Sequence, residues 1–169
     1  SDAVNALQDY QGISRRHQLL TIHNSIRLID DFAHNPAKIA ASIKSSQKDT
    51  GRVFAFWQPH GFGPTKFLRK ELVQEIAGSL REQDHIWMPE IYYAGGTATK
   101  DISAFDLIKD LKKLNVRAHF VKERNRCFKA MLKRVKPEDT LLLMGARDPS
   151  LEEFASSCKE MLKSSCTIG

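Results

Sequence analysis

No stretch of this sequence approaches the roughly 20 consecutive apolar residues that a bilayer-spanning helix needs, so no membrane partner is expected. No secretory leader is visible. The opening Ser1-Asp2-Ala3 carries no initiator Met, as expected of a processed or cloned fragment. Cysteine is scarce: Cys127, Cys158 and Cys166 are scattered and odd in number. That argues against a disulfide framework and against a zinc site, and fits a reducing cytoplasm. There is no Gly-x-x-Gly-Lys-(Thr/Ser) phosphate loop. No His, Cys and Glu residues stand at metal-ligand spacing, so no metal site is assigned to this chain. Internal repeats and low-complexity segments are also missing.

What is present suits one globular domain. At 169 residues the chain can bury one core but not two of ordinary size. Apolar content of 41% and charged content of 27% are ordinary for such a domain. The formal charge of +6 admits nucleic acid as a partner. The positive residues are spread over several segments, however, and a cleft for anionic small molecules accounts for the excess equally well. The charge total alone does not choose between them.

Hydrophobic periodicity gives the order of elements. A short helix is expected over 4–10, with Val4 and Leu7 on one face, stopped by Gly12. Two apolar runs, 19–23 and 26–30, flank Asn24-Ser25 and read as a β-hairpin whose first strand is an antiparallel edge. Helices follow over 36–47, 65–80, 101–115, 125–135 and 150–163. Between them lie strands over 53–57, 84–88, 116–121 and 140–144. Thr140-Leu141-Leu142-Leu143-Met144 is apolar throughout after its first residue, as a strand buried on both faces requires. Residues 164–169 show no pattern and are expected to fray. Strand and helix alternate, and right-handed crossovers then give a three-layer, Rossmann-like α/β fold. Its sheet is mostly parallel, with one antiparallel edge strand and helices on both faces. Every strand-to-helix loop opens on one edge, where ligands bind in such sheets.

The loops on that edge hold the unusual residues. Asp30-Asp31-Phe32-Ala33-His34-Asn35-Pro36 joins the second strand to the first long helix. Pro36 suits the first helical position and Asn35 can cap the first turn. An aspartate at a strand end is commonly a turn or cap residue, and a lone histidine there is commonly solvated. Gln58-Pro59-His60-Gly61-Phe62-Gly63-Pro64-Thr65 is the next loop, where a glycine turn with Thr65 as helix cap explains the last three residues. Ile91-Tyr92-Tyr93-Ala94-Gly95-Gly96-Thr97 and Gly145-Ala146-Arg147-Asp148 complete the set.

Together these strings resemble the C-terminal domain of the Mur ligases, and within that family the branch that joins L-alanine to UDP-N-acetylmuramate. Residues 30–36 resemble its Asp-Asp-Tyr-(Gly/Ala)-His-His-Pro signature, with Phe32 for Tyr and Asn35 for the second His. Trp57-Gln58-Pro59-His60 resembles Phe-Gln-Pro-His-Arg-Tyr-(Ser/Thr)-Arg-Thr, but Gly61 and Pro64 stand where that string has arginines. Residues 6–16 resemble the family's link between central and C-terminal domains, which ends in Arg-Arg-Phe; Arg16 matches the second arginine and His17 replaces Phe. Residues 91–97 resemble (Val/Ile)-Tyr-(Ala/Pro)-Ala-Gly-Glu, and 145–148 resemble Met-Gly-Ala-Gly-Asp with Arg147 in place of a glycine.

The resemblance implies a division into three parts: linker and end of the central domain over 1–16, the C-terminal domain over 17–163, and a tail over 164–169. It implies ATP-dependent amide formation in peptidoglycan precursor synthesis. ATP phosphorylates the carboxylate of UDP-N-acetylmuramate, and the amine of L-alanine displaces phosphate from the acyl phosphate. Mg2+ assists, held by the preceding central domain. The partners implied are these substrates and the parent's own N-terminal and central domains. Arg16, Asp31 and Phe32 fall on the nucleotide side, with His34 and His60 near the reacting carboxylate and amine. Guanidinium forks are natural carboxylate receptors. With both receptor arginines missing, Lys66 and Arg69 are the expected substitutes near the start of the same helix. The isolated domain is expected to be inactive. Two other readings stand beside this one: a sibling ligase that attaches a preformed peptide to the same nucleotide sugar in wall recycling, and a non-catalytic nucleotide- or nucleic-acid-binding α/β module.

Overall fold

The computed structural model describes residues 15–165. The expected helix over 4–10 and Cys166 lie outside the described residues. Strands β1 (Gln18–His23) and β2 (Ile26–Asp31) form the expected hairpin. Its turn residues Asn24 and Ser25 both take positive φ, 48° and 61°, as a two-residue turn matched to strand twist requires. There follow α1 (Pro36–Ser46), β3 (Val53–Gln58), α2 (Phe62–Ser79), β4 (His85–Met88), α3 (Ala104–Lys113), β5 (Arg117–Phe120), α4 (Arg124–Leu132), β6 (Thr140–Gly145) and α5 (Leu151–Ser165). The six strands lie in the order β1-β2-β6-β3-β4-β5, and only the β1–β2 pair is antiparallel.

Alternate residues of the strands feed two separate cores. Ile29, Ala55, Trp57, Met88 and Leu142 face α1, α2 and α3, which bury Ile39, Leu72 and Leu107 against them. Leu28, Phe56, Trp87, Leu141 and Leu143 face α4 and α5, through Phe128, Phe154 and Cys158. Because β6 is buried on both faces, its run of apolar residues is what the position demands. Cys127 and Cys158 are free thiols in the second core, and burial pushes Cys127 up to about 12, so neither is a nucleophile. Among the described residues no helix is long and apolar enough to cross a membrane.

Element types agree with expectation throughout, while several ends move for local reasons. Helix α2 begins three residues before the expected Thr65, because Gly61 takes φ 74° and turns the chain straight into the helix. Pro64 then lies in the first turn, where its missing N–H is no loss. Thr65 is inside the helix and not its cap; its Oγ1 donates back to the Gly61 carbonyl at 2.7 Å. Helix α3 starts at Ala104 instead of Asp101, since Ser103 and Asp106 form a capping box there. Helix α5 continues to Ser165, two residues into the stretch expected to fray.

A partly buried histidine pair marks the far half of the sheet. His85 Nδ1 and His119 Nε2 are 2.9 Å apart, with Trp87 and Phe54 stacked on the rings. Burial, reinforced at His85 by Arg52, Arg117 and Arg134, holds each imidazole down to about 4. Their folded-state values lie below the ordinary 6.5. The unfolded chain therefore binds more protons between about pH 6.5 and 4, and stability rises with pH across that window. Urea denaturation should show stability falling as pH drops below about 6.5 and level above about 7.5. A His85→Gln, His119→Gln double variant should flatten the slope; an unchanged slope would contradict this account.

Candidate functional site

Strand order creates the site. Helices α1 and α2 leave β2 and β3 on one face of the sheet, whereas α5 leaves β6, which lies between them, on the other. The loops after β2 and β3 therefore diverge from the loop after β6, and a crevice opens at this switch in direction. Register sets the strand ends level: Asp31 pairs with Met144, and Gln58 with Gly145.

Each loop is fixed by its own polar residues. Asp30 is buried and accepts from Arg15, Nε to Oδ2 at 3.0 Å, while Arg15 Nη2 also donates to the Gly145 carbonyl at 2.9 Å. This clasp holds the ends of β2 and β6 together. Asp31 accepts from the Ala33 N–H at 3.0 Å and from Ser42 Oγ at 2.7 Å, and His17 Nδ1 lies 3.5 Å away. Asn35 caps α1 by accepting from the Lys38 N–H at 2.9 Å. Gln58 points its amide into the next loop and donates to the carbonyls of Pro59 and Glu90. His60 pairs with Tyr92 as an isolated parallel bridge, which extends the β3–β4 ladder past the strand ends.

Two groups of expected residues come together in adjoining hollows. Arg16, Asp31 and Phe32 line one, of about 460 Å³, with Lys38 and Ser42. His34 and His60 line the other, of about 190 Å³, with Trp57, Leu68 and Arg147. Their ring centroids are 6.4 Å apart. Phe32 is half exposed and stands between the hollows, edge-on to His34 at 5.5 Å. His34 Nδ1 donates to the Phe32 carbonyl at 3.1 Å.

Two residues that line the smaller hollow carry unpartnered buried nitrogens. His60 Nδ1 and Trp57 Nε1 are both buried and have no hydrogen-bond partner. An unmet buried polar group costs about 1–3 kcal/mol. Burial, then the nearby charges of Arg147 and His34, lower the His60 pKa, so its imidazole is neutral near pH 7.

Lys66 and Arg69 are not brought to this hollow. Lys66 is ion-paired with Asp101, and Arg69 Nε donates to Asp110 at 2.7 Å, along a separate groove between α2 and α3. From α2 the hollow takes Pro64, Thr65, Leu68 and Leu72, whereas Lys66 and Arg69 line the other groove. The cation that does line it is Arg147, on the loop after β6. Sequence alone marked it only as an arginine in a glycine position, and that was the signal. Among the described residues no group of three or more His, Cys, Asp or Glu side chains could hold a metal ion.

The family described as "Mur ligase, glutamate ligase domain" matches residues 15–147. A UDP-N-acetylmuramate–L-alanine ligase of Pelotomaculum thermopropionicum is 33% identical over 145 residues, covering 85% of this chain and 31% of that protein. The chain thus spans about a third of the length of the curated relatives it matches. Two solved structures share the fold. UDP-N-acetylmuramate-alanine ligase of Thermotoga maritima superposes with a TM-score of 0.63 at 19% identity, covering 98% of this chain and 34% of that one. A domain from a putative UDP-N-acetylmuramate:L-alanyl-gamma-D-glutamyl-meso-diaminopimelate ligase of Haemophilus ducreyi gives 0.60 at 18% identity, covering 88% and 98%.

The histidine environment is directly measurable. In a proton NMR titration, His60 should titrate below the ordinary 6.5, and Arg147→Gly should move it upward by removing a neighbouring positive charge. A His60 midpoint at or above 6.5 would contradict the burial and charge described.

Proposed function

This chain belongs to the Mur ligase family, as its glutamate ligase domain, and on that premise we propose that it is the C-terminal domain of an ATP-dependent ligase joining L-alanine to UDP-N-acetylmuramate. The proposal covers the reaction, its cytoplasmic place in peptidoglycan precursor synthesis, and the domains that precede this one. The observation that carries it is the facing pair His34 and His60 in one hollow, with the buried Nδ1 of His60 unpartnered.

The chemistry follows from that pair. ATP supplies the phosphoryl group that converts the muramoyl carboxylate into an acyl phosphate. The incoming amino acid arrives with a protonated amine, which cannot attack. A neutral His60 accepts one ammonium proton, the amine attacks the acyl carbon, and phosphate leaves with the C–O bonding electrons and takes the second amine proton. His34 Nε2 hydrogen-bonds the same reacting groups from the opposite wall. Across Phe32, the Arg16 guanidinium and the exposed Phe32 ring suit a nucleotide's phosphates and base. Asp31, fixed by Ser42, orients that wall. With no group of three or more His, Cys, Asp or Glu side chains among the described residues, we assign any Mg2+ to a preceding domain, and no step here runs through it. Catalysis requires this domain to close on that one, as lids do.

A peptide-joining relative remains the second reading, because Gly61 and Pro64 occupy the receptor-arginine positions. Phosphate release by the full-length enzyme, with ATP and UDP-N-acetylmuramate, separates the two: turnover should require L-alanine, whereas turnover with tripeptide alone selects the second reading. His60→Ala should lower kcat by about 100-fold or more, and an unchanged kcat would remove His60 from the chemistry. Lys66→Ala and Arg69→Ala should each leave the KM for the amino acid within about twofold. A large rise for either would return those residues to the substrate site. The chain alone should release no phosphate.

A further inference from the structure

We infer that Arg147 is the carboxylate receptor of the small hollow, and that it selects a free α-amino acid over a peptide. The inference rests on the ligase reading above and assigns the half of the substrate that reading leaves unbound.

Arg147 occupies a backbone position that ordinary residues avoid. Its φ is 60°, and the Asp148 N–H donates to the Ala146 carbonyl at 2.8 Å across it. A three-residue turn with positive φ at its centre is the rare and strained γ form. Strain of this kind persists only where the surroundings impose it. Here they do. Buried Asp148 accepts from Arg124 at 2.6 Å and from the Ser150 N–H at 2.9 Å, so the residue after the turn is pinned from α4 and α5. Gly145, the residue before Ala146, is held through its carbonyl by Arg15.

The side chain presented by this turn is unspent. Among the described residues no carboxylate forms an ion pair with Arg147, although its neighbours Arg15 and Arg124 are both paired. It lines the hollow with His34 and His60, and it is the one residue of that lining with a permanent positive charge. Its charge reaches His60 directly. From α2 the lining is Pro64, Thr65, Leu68 and Leu72, none of them charged. A carboxylate entering the hollow therefore has one guanidinium to meet.

Size and chemistry name the ligand class. A cavity of about 150 Å³ holds a six-carbon ring, so about 190 Å³ admits a small amino acid. With its carboxylate on Arg147, the amine of such a molecule falls on the His60 side. A peptide presents an amide in place of that carboxylate and forfeits the charge-assisted hydrogen bonds.

The test uses the full-length ligase with L-alanine and with L-alaninamide, which keeps the amine but lacks the carboxylate. Wild type should prefer L-alanine. Arg147→Gly suits the positive φ and should fold at least as well, which thermal melting checks. It should raise the KM for L-alanine by roughly 10- to 100-fold, leave those for ATP and UDP-N-acetylmuramate within about twofold, and abolish the preference over the amide. An unchanged KM for L-alanine overturns the inference alone, as does a rise confined to UDP-N-acetylmuramate. An enzyme that forms no amide with any amino acid overturns the ligase reading and this inference with it.

Discussion

The position of β6 between β2 and β3 is the constraint on which the site depends. A strand there must be apolar on both faces, and Leu141 to Met144 meet that demand. Because β6 is entered from one face of the sheet while β2 and β3 exit to the other, their loops part and cannot fill the space between. His34, His60 and Arg147 come from three separate loops, more than 80 residues apart at the extremes, and meet because of that single pairing order. No local motif could assemble them.

Keeping the crevice open requires its walls to be stiff. Arg15 and Asp30 are both buried, and their pair also ties in the Gly145 carbonyl. Removing one partner from such a pair typically costs about 3–5 kcal/mol, since the other charge is stranded. Asp148 does the same for the far wall through Arg124. These carboxylates are spent on structure, which separates them from Asp31, whose Ser42 bond leaves it lining the larger hollow. Adjacent aspartates in one signature thus divide the work: Asp30 builds the edge and Asp31 faces it.

Much of this was legible in the amino-acid order. Periodicity marked every strand and helix among the described residues, because both cores are built from clean alternation. The turn at 30–36 and the Gln-Pro-His string marked the two histidines. What the amino-acid order did not show was direction. Lys66 and Arg69 lie close to His60 in sequence, yet helix α2 begins at Phe62 and carries them to its outer side, where Asp101 and Asp110 pair with them. A positive φ at Gly61 sets that early helix start, and a glycine reveals only that such a φ is permitted, never that it is used. Arg147 was visible as an arginine in a glycine position, but its meaning needed the strand order that sets it opposite His60.

The central claim is that one hollow receives both ends of an amino acid, with the amine at His60 and the carboxylate at Arg147. A crystal structure of the full-length enzyme with L-alanine and a non-hydrolysable ATP analogue tests it most directly. The account predicts an alanine carboxylate on the Arg147 guanidinium, with its nitrogen within hydrogen-bond reach of His60. Alanine bound along the groove of Lys66 and Arg69, or held by another domain with this hollow unfilled, would contradict it.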